Sequence, residues 1–158
     1  MLPLSYRSPY PVTGTTPKKH VHVACALIER NGLTLAAQRS AAMNLPLKWE
    51  FPGGKLEEGE SAEACLHREL MEELGVTIAV VRPLPLHTHS YDTFTVTLYP
   101  FVCTLESGII TLHEHAAIVW LPLEELHTLD WAEADWPVLE AYSRLLHGQA
   151  LQGATLNV

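Results

Sequence analysis

Short bursts of apolar residues separated by turn residues, and two stretches with apolar positions three or four apart, divide the chain into strands and helices. The first burst opens at His20. Val21, Val23, Ala24, Ala26, Leu27 and Ile28 form an apolar run that stops at Asn31-Gly32, a pair suited to a tight hairpin, so Leu33 to Gln38 reads as the returning strand. Trp49-Glu50-Phe51 predicts a short strand ending at Pro52-Gly53-Gly54. Ser61 can cap a helix that runs through Leu74 and stops at Gly75, with Val76 to Val81 a strand beyond it. Further strands are expected over His87 to Tyr91, Phe94 to Cys103 and Ala117 to Leu121. Val138, Leu139, Tyr142, Leu145 and Leu146 recur at helical spacing and predict an amphipathic helix from Pro137 to His147. The expected organisation is a Pro-rich tail over residues 1–18 (Pro3, Pro9, Pro11, Pro17), one folded domain over 19–148, and a frayed tail over 149–158. Strands dominate and no internal repeat is present. The fold class is therefore α+β, a mixed sheet with a helix on each face.

Composition narrows the function classes. The chain has 158 residues, 47% apolar and 18% charged, which suits a domain with a sizeable core and excludes a largely disordered chain or a coiled coil. No apolar run approaches the ~18–20 residues of a membrane span, and the N-terminal residues lack the charged start and apolar core of a signal peptide. A cytoplasmic protein with no membrane partner is expected. Eighteen acidic against ten basic side chains give a net charge of −8, which repels a nucleic-acid polymer. A polyanionic substrate would need a local source of positive charge. Cys25, Cys65 and Cys103 are widely spaced, so neither a disulfide framework nor a zinc knuckle is suggested.

Chemistry concentrates in the predicted helix from Ser61 to Leu74. At 3.6 residues per turn Glu69, Glu72 and Glu73 share an arc of roughly 100°, beside the apolar stripe of Leu66, Leu70 and Leu74 rather than opposite it. Like charges at that spacing repel, and more so as the site dries. A divalent cation removes the conflict. Oxygen ligands select a hard ion, Mg²⁺ or alternatively Mn²⁺, and Mg²⁺ usually binds through carboxylates together with phosphates of a small substrate. Arg68 can fork onto a neighbouring carboxylate, and Gly53 and Gly54 let the backbone approach a metal or phosphate closely.

An acidic helix alone is commonplace; the residues around it are not. Gly54, Glu60 six positions on, Arg68-Glu69-Leu70, Glu72-Glu73 and Gly75-Val76 resemble the Nudix box, GX5EX7REUXEEXGU with U aliphatic, at every defined position. Trp49 to Lys55 and Trp131 to Asp135 look like the MutT-type branch of that family, and the likeness covers about residues 20–147. The resemblance implies an α/β/α sandwich with a mixed sheet. It also implies hydrolysis of a nucleoside triphosphate, of CTP/dCTP type or an oxidised purine such as 8-oxo-dGTP, to a monophosphate and pyrophosphate with Mg²⁺, as in nucleotide-pool sanitation. By the same resemblance the metal shell would be Glu69, Glu72, Glu73 and the Gly53 carbonyl, with Glu114 as a distal metal or water-activating residue and Arg68 orienting the carboxylates. Glu114 and the helix trio all stay open as the general base.

For the substrate, Arg39 and Lys55 are the candidate cations for the phosphates. Phe51 either stacks on a base or sits in the core. Asp135 either caps the final helix or, as the resemblance implies, accepts hydrogen bonds from the base edge, and the two roles are compatible. Three alternatives belong to other classes: a non-catalytic Nudix-like domain that senses nucleotides or binds a partner, a hydrolase of a diphosphate derivative such as ADP-ribose, and a zinc or iron site built from His20/His22, His87/His89 and His113/His115. Oligomeric state is left open.

Overall fold

The computed structural model describes residues 17–155, with side chains described through residue 150. Residues 1–16 and 156–158 of the expected tails lie outside the described residues. The elements are β1 (Lys19–Arg30), β2 (Leu33–Gln38), β3 (Trp49–Glu50), β4 (Gly53–Lys55), α1 (Ala62–Leu74), β5 (Thr77–Pro83), β6 (His87–Ser90), β7 (Phe94–Ser107), β8 (Ala117–Leu121), α2 (Leu123–Leu126), a 3-10 turn (Glu133–Asp135) and α3 (Trp136–Thr155). This is a mixed sheet with helices on both faces, an α+β fold.

β1 is the spine, parallel to β7 from Lys19↔Phe94 to Glu29↔Thr104. Its other edge is shared. Near the hairpin turn it pairs with β2 (Arg30↔Leu33), and towards its start it pairs with β4 (Cys25↔Gly53). β2 in turn pairs with β3 at Ala37↔Glu50 and keeps β8 along its far edge. β1 and β2 therefore splay apart, and residues 49–55 fill the gap. The Ala26 N–H donates to the Pro52 carbonyl at 2.8 Å inside that wedge.

Because both sheet faces are covered, β1 buries alternate residues on opposite sides, and its sequence reads as a continuous apolar run rather than an alternating one. Ala24, Ala26 and Ile28 pack with Leu66, Leu70 and Leu74 of α1. Cys25 and Leu27 pack with Val138, Leu139 and Tyr142 of α3, whose Tyr142 hydroxyl lies 2.9 Å from Thr34 Oγ1. The three cysteines are free and buried. Among the described residues no helix is long and apolar enough to cross a membrane.

α1 starts and stops where its sequence signals lie. Ser61 is extended (φ −72°, ψ 156°) and its hydroxyl accepts from the Ala64 N–H at 3.1 Å; Gly75 is left-handed (φ 69°) and its N–H reaches the Met71 carbonyl at 3.0 Å. Ser61→Ala is expected to lower the free energy of unfolding by about 1 kcal/mol, measured by urea denaturation. α3, expected to end at His147, runs eight residues further. Gln149, Ala150, Leu151 and Gln152 are all good helix formers, which offsets the cost of Gly148 and Gly153 inside the helix.

Candidate active site

The site grows from the junction of β4 and α1. A Cβ on Gly53 would collide with the Ala24 carbonyl across the β1–β4 ladder, and a Cβ on Gly54 would overlap the Glu69 carboxylate. Two adjacent glycines thus let a strand and a helix side chain occupy the same narrow space. Arg68 ties this junction together. Its Nε and Nη2 grip both oxygens of Glu60 at 2.8 Å each, Nη2 also donates to the Lys55 carbonyl (3.2 Å), and Nη1 donates to Glu69 (2.8 Å) and Glu72 (3.5 Å). That fork holds the Glu60 carboxyl down at about 2, chiefly through its hydrogen bonds.

The remaining carboxylates are short of positive charge. Glu73 is 8% exposed, its Oε2 is sealed from solvent without a partner, and burial, then the charges of Glu69, Glu50, Glu114 and Glu72, push its carboxyl up to about 8. Glu69 is also raised, by burial first, against the pull of Arg68. Glu114 stands on an exposed bend before β8, and its charge reaches both Glu69 and Glu73. Among the described residues no three His, Cys, Asp or Glu side chains form a ready-made cage. A buried unpartnered oxygen surrounded by four like charges nevertheless fits a hard divalent cation, because such an ion supplies the missing charge to an all-oxygen donor set.

Beside this cluster opens a cleft of about 340 Å³. Val21, Val23, Val96 and Leu98 give it apolar walls, Tyr91 and Phe94 line it with rings stacked at 4.8 Å, and Lys19 and Lys55 supply positive charge. Arg39 lines it too, but its charge is already engaged: Nη1 on Glu50 Oε2 (2.8 Å) and Nε on the Asn44 carbonyl (2.6 Å). Phe51 takes the core alternative. It is 2% exposed, tilted against Trp131 at 4.6 Å, with its N–H donating to Asp135 Oδ1 at 3.0 Å. Asp135 is buried, lines the cleft, and has its carboxyl pushed well above the usual range by burial and then by Glu50. It bonds this amide, between β3 and β4, rather than a helix N–H, so among the described residues it makes no capping bond to α3.

The sequence assigned no role to Glu50, Lys19 or Tyr91, and offered His115 only as part of a zinc or iron site; the fold brings all four to this region. His115 is nearly buried and its Nε2 lies 2.9 Å from Glu50 Oε1, while the Tyr91 hydroxyl accepts from the Ala134 N–H at 3.0 Å, next to Asp135. The one available signal was Glu50 itself, a charge between two aromatic residues in a predicted strand. The three His pairs do not converge. His20 and His22 stack on each other at 4.5 Å and bond Thr97 and Tyr99, while His89 pairs with Glu133.

Known proteins place these features in one family. The NUDIX domain model matches residues 18–142. The CTP pyrophosphohydrolase of Escherichia coli K12 is 39% identical over 127 residues, covering 80% of this chain and 94% of that protein. The 8-oxo-dGTP diphosphatase of Proteus vulgaris is 36% identical over 88 residues, covering 55% of this chain and 79% of that protein. The solution structure of a MutT Nudix hydrolase from methicillin-resistant Staphylococcus aureus superimposes with a TM-score of 0.65 at 42% identity, covering 78% of this chain and 95% of that one. A family match across most of the domain, with every defined box position filled, makes this chain a member of the Nudix hydrolase family.

Proposed function

We propose that the protein hydrolyses a nucleoside triphosphate, of CTP/dCTP type or an oxidised purine such as 8-oxo-dGTP, to the monophosphate and pyrophosphate, with Mg²⁺ or alternatively Mn²⁺, in the cytoplasm. One observation carries the reading: the unpartnered buried oxygen of Glu73 stands in a carboxylate cluster that adjoins a cleft with cations on its rim and two acceptor carboxylates in its wall. The similarity to the E. coli and P. vulgaris enzymes supports the substrate class. The overall charge of −8 keeps nucleic-acid polymers out of the proposal.

In this reading Glu69, Glu72 and Glu73, with the Gly53 carbonyl and Glu114, hold the cation, which when bound supplies charge to the phosphate oxygens. Arg68 keeps Glu69 and Glu72 aimed by its fork. Lys55 and Lys19 receive the phosphate chain; Arg39 contributes through its bond to Glu50. The base lies against Tyr91 and Phe94, with Asp135 accepting from its amino edge and Phe51 holding Asp135 from the core. A carboxylate of the cluster, Glu114 or a member of the trio, takes the proton of the attacking water.

Pyrophosphate release from CTP, dCTP, 8-oxo-dGTP, dGTP and UTP, beside AMP formation from ADP-ribose, each with Mg²⁺ and with EDTA, tests this. Turnover of at least one triphosphate that EDTA abolishes is expected. A preference for ADP-ribose over every triphosphate, or activity that survives EDTA, overturns the proposal.

A further inference from the structure

His115 is a costly residue to bury. Its side chain is 1% exposed and its Nδ1 is sealed from solvent with no partner. A leucine would fill the same space without an unsatisfied nitrogen, so the imidazole calls for an explanation. The explanation on hand is its other nitrogen, which lies 2.9 Å from Glu50 Oε1. An ionised carboxylate only accepts, so Nε2 carries the proton of this bond and the tautomer is set.

Glu50 is held from two sides. His115, on the segment before β8, takes Oε1; Arg39, at the end of β2, takes Oε2 at 2.8 Å and is itself fixed by the Asn44 carbonyl. The carboxylate lines the cleft, and its charge is felt both by Glu73 in the cluster and by Asp135 in the cleft wall. Each Glu50 oxygen keeps a second lone pair. A carboxylate fixed in the cleft wall accepts from a base that offers an exocyclic amino group and repels one that offers a carbonyl there.

We propose that His115 is a positioning residue for nucleobase selection, acting through Glu50: its Nε2–H fixes the carboxylate so that the cleft favours an amino-bearing base. The inference rests on the nucleoside triphosphate reading of the site. Without the imidazole the Glu50 carboxylate loses its aim, so the fault falls on base discrimination more than on the hydrolytic step.

The test is the ratio of kcat/KM for the preferred amino-bearing nucleotide to that for UTP, in His115→Leu and His115→Gln. The leucine variant is expected to lose about tenfold or more of that ratio. The glutamine variant, whose amide N–H can reach Glu50, is expected to stay within about threefold of wild type. An unchanged ratio in the leucine variant, or an equal fall in kcat for every nucleotide, overturns the inference. The imidazole ¹⁵N–¹H spectrum of the unaltered protein keeps the question open to test should the leucine variant not fold, or should no triphosphate be hydrolysed and the functional reading itself fail. A slowly exchanging Nε2–H at His115 supports the inference, and an Nδ1–H tautomer overturns it.

Discussion

Glu73→Gln is expected to reduce turnover by about 10²–10⁴-fold while making the metal-free protein more stable at alkaline pH. Both effects come from one charge. In the folded protein the Glu73 carboxyl is raised from its ordinary 4.5 to about 8 by burial and by its acidic neighbours. A carboxyl raised in this way contributes stability that is complete below the unfolded value near 4.5 and is lost as pH climbs through about 8. A shift of that size corresponds to several kcal/mol, on the order of 4–5 at full deprotonation. The melting temperature of the wild-type protein in EDTA should therefore fall between pH 6 and 8.5. Glutamine keeps the shape, cannot ionise, and its amide can donate to a neighbouring carboxylate, so the variant should show little of that fall. Added Mg²⁺ should raise the melting temperature of the wild type at pH 8.5 far more than that of the variant. Thermal melts at the two pH values with and without Mg²⁺, beside kcat for pyrophosphate release, read all of this. A variant within tenfold of wild-type kcat, or one less stable than wild type in EDTA at pH 8.5, would remove Glu73 from the centre of the site.

The features legible in the sequence were those written in neighbouring residues. α1 was legible to within a residue because its cap at Ser61, its left-handed stop at Gly75 and its apolar stripe are all local. The clustering of Glu69, Glu72 and Glu73 followed from helical spacing alone. β4 was not foreseen: Gly53-Gly54-Lys55 has the composition of a turn, and it is extended only because β1 and β2 separate and leave backbone groups of β1 to be paired. β7 extends past Cys103 to Ser107 because Thr104, Leu105 and Ser107 find partners on β5 or β1. The contact of His115 with Glu50 joins residues 65 apart in the chain, and that of Phe51 with Asp135 joins residues 84 apart. No periodicity encodes such pairs. They explain why Phe51 settled in the core and why the second acceptor carboxylate of the cleft went unread.

Gly54→Ala is expected to cost more in catalysis than in stability, and Gly53→Ala the reverse. At position 54 the added Cβ meets the carboxylate end of Glu69, a side chain that can swing aside. Swinging it breaks the 2.8 Å bond to Arg68 Nη1 and moves one acidic oxygen away from the cluster that must hold the cation. The melting temperature should drop modestly, by the equivalent of about 1–2 kcal/mol, while kcat falls about 100-fold. At position 53 the obstacle is the Ala24 carbonyl in the β1–β4 ladder, backbone that cannot rotate out of the way. There the loss should reach about 3 kcal/mol or more, because the strand that wedges β1 from β2 must shift as a unit. Gly59→Ala separates these effects from the loss of glycine as such: Gly59 is left-handed (φ 76°) with nothing within 4 Å of the new methyl, so it should show about 1 kcal/mol of backbone strain and unchanged kcat. If Gly54→Ala keeps wild-type kcat while Gly59→Ala behaves as described, then Glu69 has room to spare beside β4, and the close approach of strand and helix is not what places the carboxylates.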